Sequence, residues 1–137
     1  MSAKAGEVIS GKRSLVGDTT SLGGVWHEFA HSKPGAFPFE RGKVCMVTFK
    51  FRTLREPTPG GYPGRGGVFY AKGRTTKAPI VDNIGGICWG SEGNAIKGEG
   101  IIRRCFLLRV ASPCYWLFGV RLRGAIAIDD FCLTVFE

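Results

Sequence analysis

No stretch of twelve residues in this chain keeps apolar positions at i, i+3, i+4 and i+7 without Gly, Pro or a β-branched run intervening, so a helix would have no stripe to bury. Alternation takes its place. Within residues 43–52, Cys45, Val47, Phe49 and Phe51 alternate with Met46, Thr48, Lys50 and Arg52, the period of two that marks a half-buried strand. Further strands are expected over residues 7–16, 24–31, 67–72, 84–89, 101–110, 114–123 and 125–136. The breaks carry turn chemistry in Lys33-Pro-Gly, Glu40-Arg-Gly, Ser112-Pro113 and Arg123-Gly124, where Pro fixes φ and Gly allows positive φ. Arg123-Gly124 reads as a tight turn, which makes residues 115–137 the last hairpin of an antiparallel sheet. About eight short strands separated in this way predict an all-β sandwich.

The 137 residues form a single domain by this reading, since folding at this length buries roughly two-thirds of the unfolded chain's surface. Hydrophobic residues at 44% against charged residues at 22% exclude a disordered chain. The Gly/Pro-rich segment 56–67 suits neither strand nor helix and is expected as a long surface loop. It does not divide two domains, because the strands before it have too few apolar faces to close a core alone. No internal repeat recurs at a fixed period.

Nineteen Lys and Arg against eleven Asp and Glu leave a net charge of +8, which favours encounter with polyanions. Arg103, Arg104, Arg109, Arg121 and Arg123 lie inside apolar runs, so they are expected to project from sheet faces. The five cysteines, Cys45, Cys88, Cys105, Cys114 and Cys132, are odd in number and never spaced as CxxC. That pattern indicates neither a full disulfide framework nor a zinc knuckle. Cys45, Cys105, Cys114 and Cys132 read as small core residues. Residues 1–6 lack the apolar centre of a signal peptide, and no run reaches the roughly 18 apolar residues of a membrane span. The expectation is a soluble chain or a domain excised from a longer one.

An enzyme would need a carboxylate pair, a Ser/His/Asp set or a nucleophilic Cys with its base, and the acidic residues are sparse and scattered. His27 and His31 sit in an alternating run, where they are expected to share a face with Phe29 as surface or sugar-contacting groups. The Gly-rich runs fit neither a dinucleotide fingerprint nor a P-loop. A binding role suits the residues better. Flat aromatic faces cover the C–H faces of sugar rings, and charged groups fix hydroxyls or carboxylates. The candidates are Trp26, Tyr62, Tyr70, Trp89 and Tyr115, with Lys50, Arg52, Arg103, Arg121 and Arg123 opposite the apolar sets. Trp116, Phe118, Val120 and Leu122 are spaced by two as core, which leaves Tyr115, Leu117, Arg121 and Arg123 for the other face. Arg holds carboxylate or sulfate bidentately, so an acidic polysaccharide fits the charge.

Three stretches, in order, resemble the galactose-binding-like jelly rolls that include many carbohydrate-binding modules. They are Ser10-Gly-Lys-Arg-Ser-Leu15, Phe39-Glu-Arg-Gly-Lys-Val-Cys-Met-Val-Thr-Phe-Lys-Phe-Arg52, and Gly124-Ala-Ile-Ala-Ile-Asp-Asp-Phe-Cys-Leu133. The resemblance implies a jelly-roll sandwich and a module that docks polysaccharide and tethers an attached catalytic domain. It also implies a structural Ca²⁺ held by Asp129, with Asp130 and Glu7 as further candidate ligands. The family's opening strand with a Gly-Phe-Glu-like motif has no counterpart in residues 1–9. A closing Ile-Asp-Asp also occurs in adhesive and viral surface domains, so a structural or adhesive jelly roll is the second expectation. A single-stranded nucleic-acid binder comes last, for want of an RNP-like motif.

Overall fold

The computed structural model describes residues 1–23, 26–33, 35–57, 68–75, 95–96, 100–110 and 114–137. Their strands are β1 (Leu15–Asp18), β2 (Trp26–His31), β3 (Val44–Arg55), β4 (Val68–Thr75), β5 (Ala95–Ile96), β6 (Ile101–Arg109), β7 (Cys114–Arg121) and β8 (Ala125–Phe136). No helix occurs among the described residues. The strands form two antiparallel sheets, ordered β1-β8-β3-β6 and β2-β7-β4-β5. The expected stretch 84–89 and positions 58–67 of the expected loop lie outside the described residues.

The alternation that marked β3 also sets its packing. Cys45, Val47, Phe49 and Phe51 are almost wholly buried and face Trp116, Phe118 and Val120 of β7 across the sandwich. Ring centroids of Phe49 and Phe118 stand 5.0 Å apart at 84°, an edge-to-face contact of the kind aromatic quadrupoles favour. Ile126 and Ile128 of β8 complete this layer on the first sheet.

Three expectations are corrected. First, residues 7–14 are not strand. β1 begins at Leu15, and residues 1–14 form a strap held by paired backbone bonds between Ser2 and Ser14 at 2.8 and 3.0 Å. Turn-forming Gly11, at φ 62°, breaks the run that would have extended it.

Second, residues 115–137 are not a hairpin. β7 and β8 belong to opposite sheets, because β2 and β4 flank β7 while β1 and β3 flank β8. The chain turns a corner at 122–124, where Leu122, not Gly124, has positive φ (73°). Thr19 clamps the corner: its N–H donates to Gly124 O at 3.0 Å, and its hydroxyl lies 3.2 Å from both Gly124 N and Gly124 O.

Third, both β2 and β8 carry bulges that shift the phase of alternation. In β2 the register slips between Glu28 and Ala30. His27 therefore pairs with core-facing Val120 and His31 with Leu117, so the two histidines do not share a face. In β8 the slip falls opposite Thr48 and Lys50, with Asp130 at φ 50°. Asp tolerates that left-handed backbone better than most residues.

Candidate functional site

The β8 bulge resolves a conflict in the sequence. Adjacent residues of a regular strand point to opposite faces, yet Asp129 is only half-buried and Asp130 exposed, while Phe131 returns to the core beside Phe37. The extra residue lets both carboxylates serve the outer side of the first sheet. Asp129 Oδ2 accepts hydrogen bonds from Ser14 Oγ at 2.7 Å and Ser10 N at 3.1 Å, and its Oδ1 accepts from Asp130 N at 2.8 Å. Burial pushes the Asp129 carboxyl up, but these donated bonds outweigh it and hold the group below the ordinary carboxylate value. Asp130 Oδ1 accepts from Ser10 Oγ at 2.8 Å, and Oδ2 lies 2.6 Å from Lys50 Nζ. The hydrogen bonds from Lys50 and Ser10 hold its carboxyl low as well.

The first and third motifs are thus physically joined: Ser10 and Ser14 of the strap meet Asp129 and Asp130 of β8. This donor set does not fit calcium. Ca²⁺ requires six to eight oxygens, whereas the Asp129 and Asp130 oxygens already accept N–H, O–H and ammonium donors. Glu7 turns instead to Lys4, at 3.7 Å. Among the described residues no three His, Cys, Asp or Glu side chains gather as a metal site.

Two basic residues of the first sheet are committed near the strap, Lys50 to Asp130 and Arg52 to the strap itself. Register sets Lys50 opposite Arg103 on one side and Asp129 on the other. Arg52 Nη1 donates to Gly6 O at 3.0 Å, which pins the strap over Ala127, a residue left with no exposed surface. Arg103 is exposed. Arg104 lies at the opposite parity, paired with core residue Phe49, so the consecutive arginines of β6 do not form one basic face.

The second sheet collects the other candidates. Its ladders place Trp26 opposite Arg121 and Arg121 opposite Val68. The next row is Glu28, Gly119 and Tyr70, and the row after it His31, Leu117 and Lys72. Tyr115 pairs with Arg74, and its ring meets that of His31 at 5.6 Å and 60°. Since Trp116, Phe118 and Val120 fill the core, positions 115, 117, 119 and 121 belong to the other side of β7. Leu117 on that side is fully buried, which corrects its expected place in an open face. Arg123 sits exposed at the corner. Tyr62 and Trp89 lie outside the described residues.

Cys45 is a buried core thiol, and burial pushes its pKa up. Cys105 and Cys132 are exposed, against expectation, because each pairs with Thr48 at the outward parity of the first sheet. Cys114 and Cys88 are not described in side-chain detail. Sequence reasoning also missed Ser14, which is fully buried. It falls within the first of the three resembling stretches, but no local pattern announces a partner 115 residues away. No family model matches the chain, and neither the curated proteins nor the solved structures give a match.

Proposed function

We propose that this chain is a non-catalytic carbohydrate-binding module of jelly-roll type, docking polysaccharide on the sheet β2-β7-β4-β5 and tethering an attached enzyme to it. The jelly-roll reading is supported by the strand orders β1-β8-β3-β6 and β2-β7-β4-β5, in which the chain crosses repeatedly from one sheet to the other. The observation that carries the ligand reading is the register of the second sheet. It sets Trp26 opposite Arg121, with Glu28, Tyr70, Lys72, Arg74, Tyr115 and His31 at positions of the same parity around buried Leu117. Aromatic rings for sugar faces and guanidinium groups for carboxylate or sulfate suit an acidic glycan. Tethering acts by raising the local concentration of the second partner, so modest affinity is enough.

Affinity electrophoresis against pectin, alginate, sulfated galactan, xylan and β-glucan tests this. Retardation in the anionic gels is the expected result, and unchanged migration in every gel would sink the reading. A second reading, a structural or adhesive domain, draws on the outer side of the first sheet. There Leu107, 66% exposed, and Phe136, 44% exposed, lie at adjoining register positions beside Met46 and Val44, and contiguous exposed apolar surface marks protein contacts. Light scattering decides for it if the chain forms a stable trimer or larger.

A further inference from the structure

β1 and β2 are edge strands of opposite sheets that meet at Gly17 and Phe29, and beside Leu15 and Ala30 a gap is left between them. A pocket of about 200 Å³ lies there. Its floor is Trp116 and Phe118, 2% and 6% exposed. Half-buried Leu15, Ala30, Phe37 and Phe131 form the walls. The pocket opens to solvent, and its aromatic floor offers flat apolar surface that a planar ring can cover.

The lining chooses among ligands. Phe131 stands 5.2 Å from Phe37, 6.3 Å from Trp116 and 6.1 Å from Phe118, the last at 86°. An entering ring therefore meets both faces and edges of its neighbours, the arrangements that add to simple burial for aromatic pairs. A sugar is a poor occupant, because its ring hydroxyls would be buried without partners along apolar walls. Polar groups occur only at the rim. Ser32 Oγ accepts from Trp116 N at 3.0 Å, which leaves its own proton to donate. His31 also borders the mouth, but its ring lies on the outer side of β2 against Tyr115.

We propose that this pocket binds a single aromatic ring bearing a hydroxyl, a phenol-class group, with the ring against Trp116, Phe118 and Phe131 and the hydroxyl at Ser32. The site does not depend on the polysaccharide reading. The group is either a free phenol or a phenolic ester substituent on a glycan.

The test titrates the full chain with 4-methylphenol, followed by protein NMR, with cyclohexanol as the non-aromatic control. The expected result is saturable binding with Kd on the order of 1 mM, with cyclohexanol about fivefold weaker, as the aromatic increment implies. Ala30→Leu fills the pocket, so binding falls by about tenfold while the melting temperature holds or rises. Phe37→Ala removes one wall and weakens binding without touching the edge strand. Absence of saturation, equal binding of cyclohexanol, or wild-type affinity in both variants would each overturn the proposal. Stronger retention on feruloylated arabinoxylan than on the saponified polymer assigns the site to a glycan substituent. Equal retention, with 4-methylphenol still bound, assigns it to free phenols.

Discussion

Replacing Asp129 by Ala removes the acceptor on which the strap closes, and the loss can be reckoned from its partners. Ser14 is fully buried and donates to Asp129 at 2.7 Å, while Ser10 N and Asp130 N donate at 3.1 and 2.8 Å. A buried hydroxyl stripped of its acceptor costs about 1–3 kcal/mol. The two backbone donors are nearer solvent and recover water bonds, so they add little after screening. A net loss of about 2 kcal/mol follows, which for a domain of this size lowers the melting temperature by roughly 5–8 °C.

The pH dependence has a definite sign. The folded carboxyl is held below its ordinary value of 3.8, so the unfolded chain takes up a proton first as pH falls. The contribution is complete above about pH 4 to 5 and fades as the pH drops through and below 3.8. Thermal denaturation of wild type and Asp129→Ala at pH 7 and pH 2 should therefore show a gap that narrows in acid. Equal melting temperatures at pH 7, or a gap undiminished at pH 2, would refute the reasoning.

Gly17→Ala places a Cβ 2.3 Å from Phe29 Cδ2, an overlap inside the core. It should cost about 1–3 kcal/mol by chemical denaturation, with part recovered in a Gly17→Ala/Phe29→Leu double variant. Asp130→Val forces a β-branched residue to φ 50° and should lower the melting temperature by several degrees, whereas Asp130→Gly keeps the bulge and loses much less. In native alkylation followed by peptide mass spectrometry, Cys105 and Cys132 should label quickly and Cys45 only after unfolding, since its thiol is buried and its pKa raised. Trp26→Ala and Arg121→Ala should each weaken retention by an anionic glycan about tenfold or more, while Arg103→Ala, on the other sheet, leaves it within about twofold.

Strand existence was legible because a period of two over several residues has few other causes. β3, β6 and β8 lie almost where alternation puts them, and Cys45, Val47, Phe49 and Phe51 are core as their spacing implies. What alternation could not carry was phase across a bulge. One extra residue at β2 separates His27 from His31, and one at β8 puts Asp129 and Asp130 on the same outer side. Sheet membership was equally hidden. The turn residues at 122–124 announce a change of direction but not whether β8 returns beside β7 or crosses to the other sheet, since that depends on which distant strands compete for its edges. The basic and aromatic candidates were found as residue types, but only register sorts them. Lys50 turns out to pair with Asp130 and Arg52 to hold the strap, while Trp26 and Arg121 are register neighbours on another sheet.

The position of β8 has a consequence for how such a chain reaches its native state during synthesis. It lies between β1 and β3, so the middle of the first sheet is supplied by the last of these strands to be synthesised. Until then β1 has no partner in its sheet, and β3 is paired along one edge alone, with β6. Chains built from pairings this distant in sequence fold slowly and pass through stages with unpaired edges. Folding of this domain is therefore expected to complete only after residues 125–136 have emerged, the interval in which a chaperone that shields exposed strands would matter most.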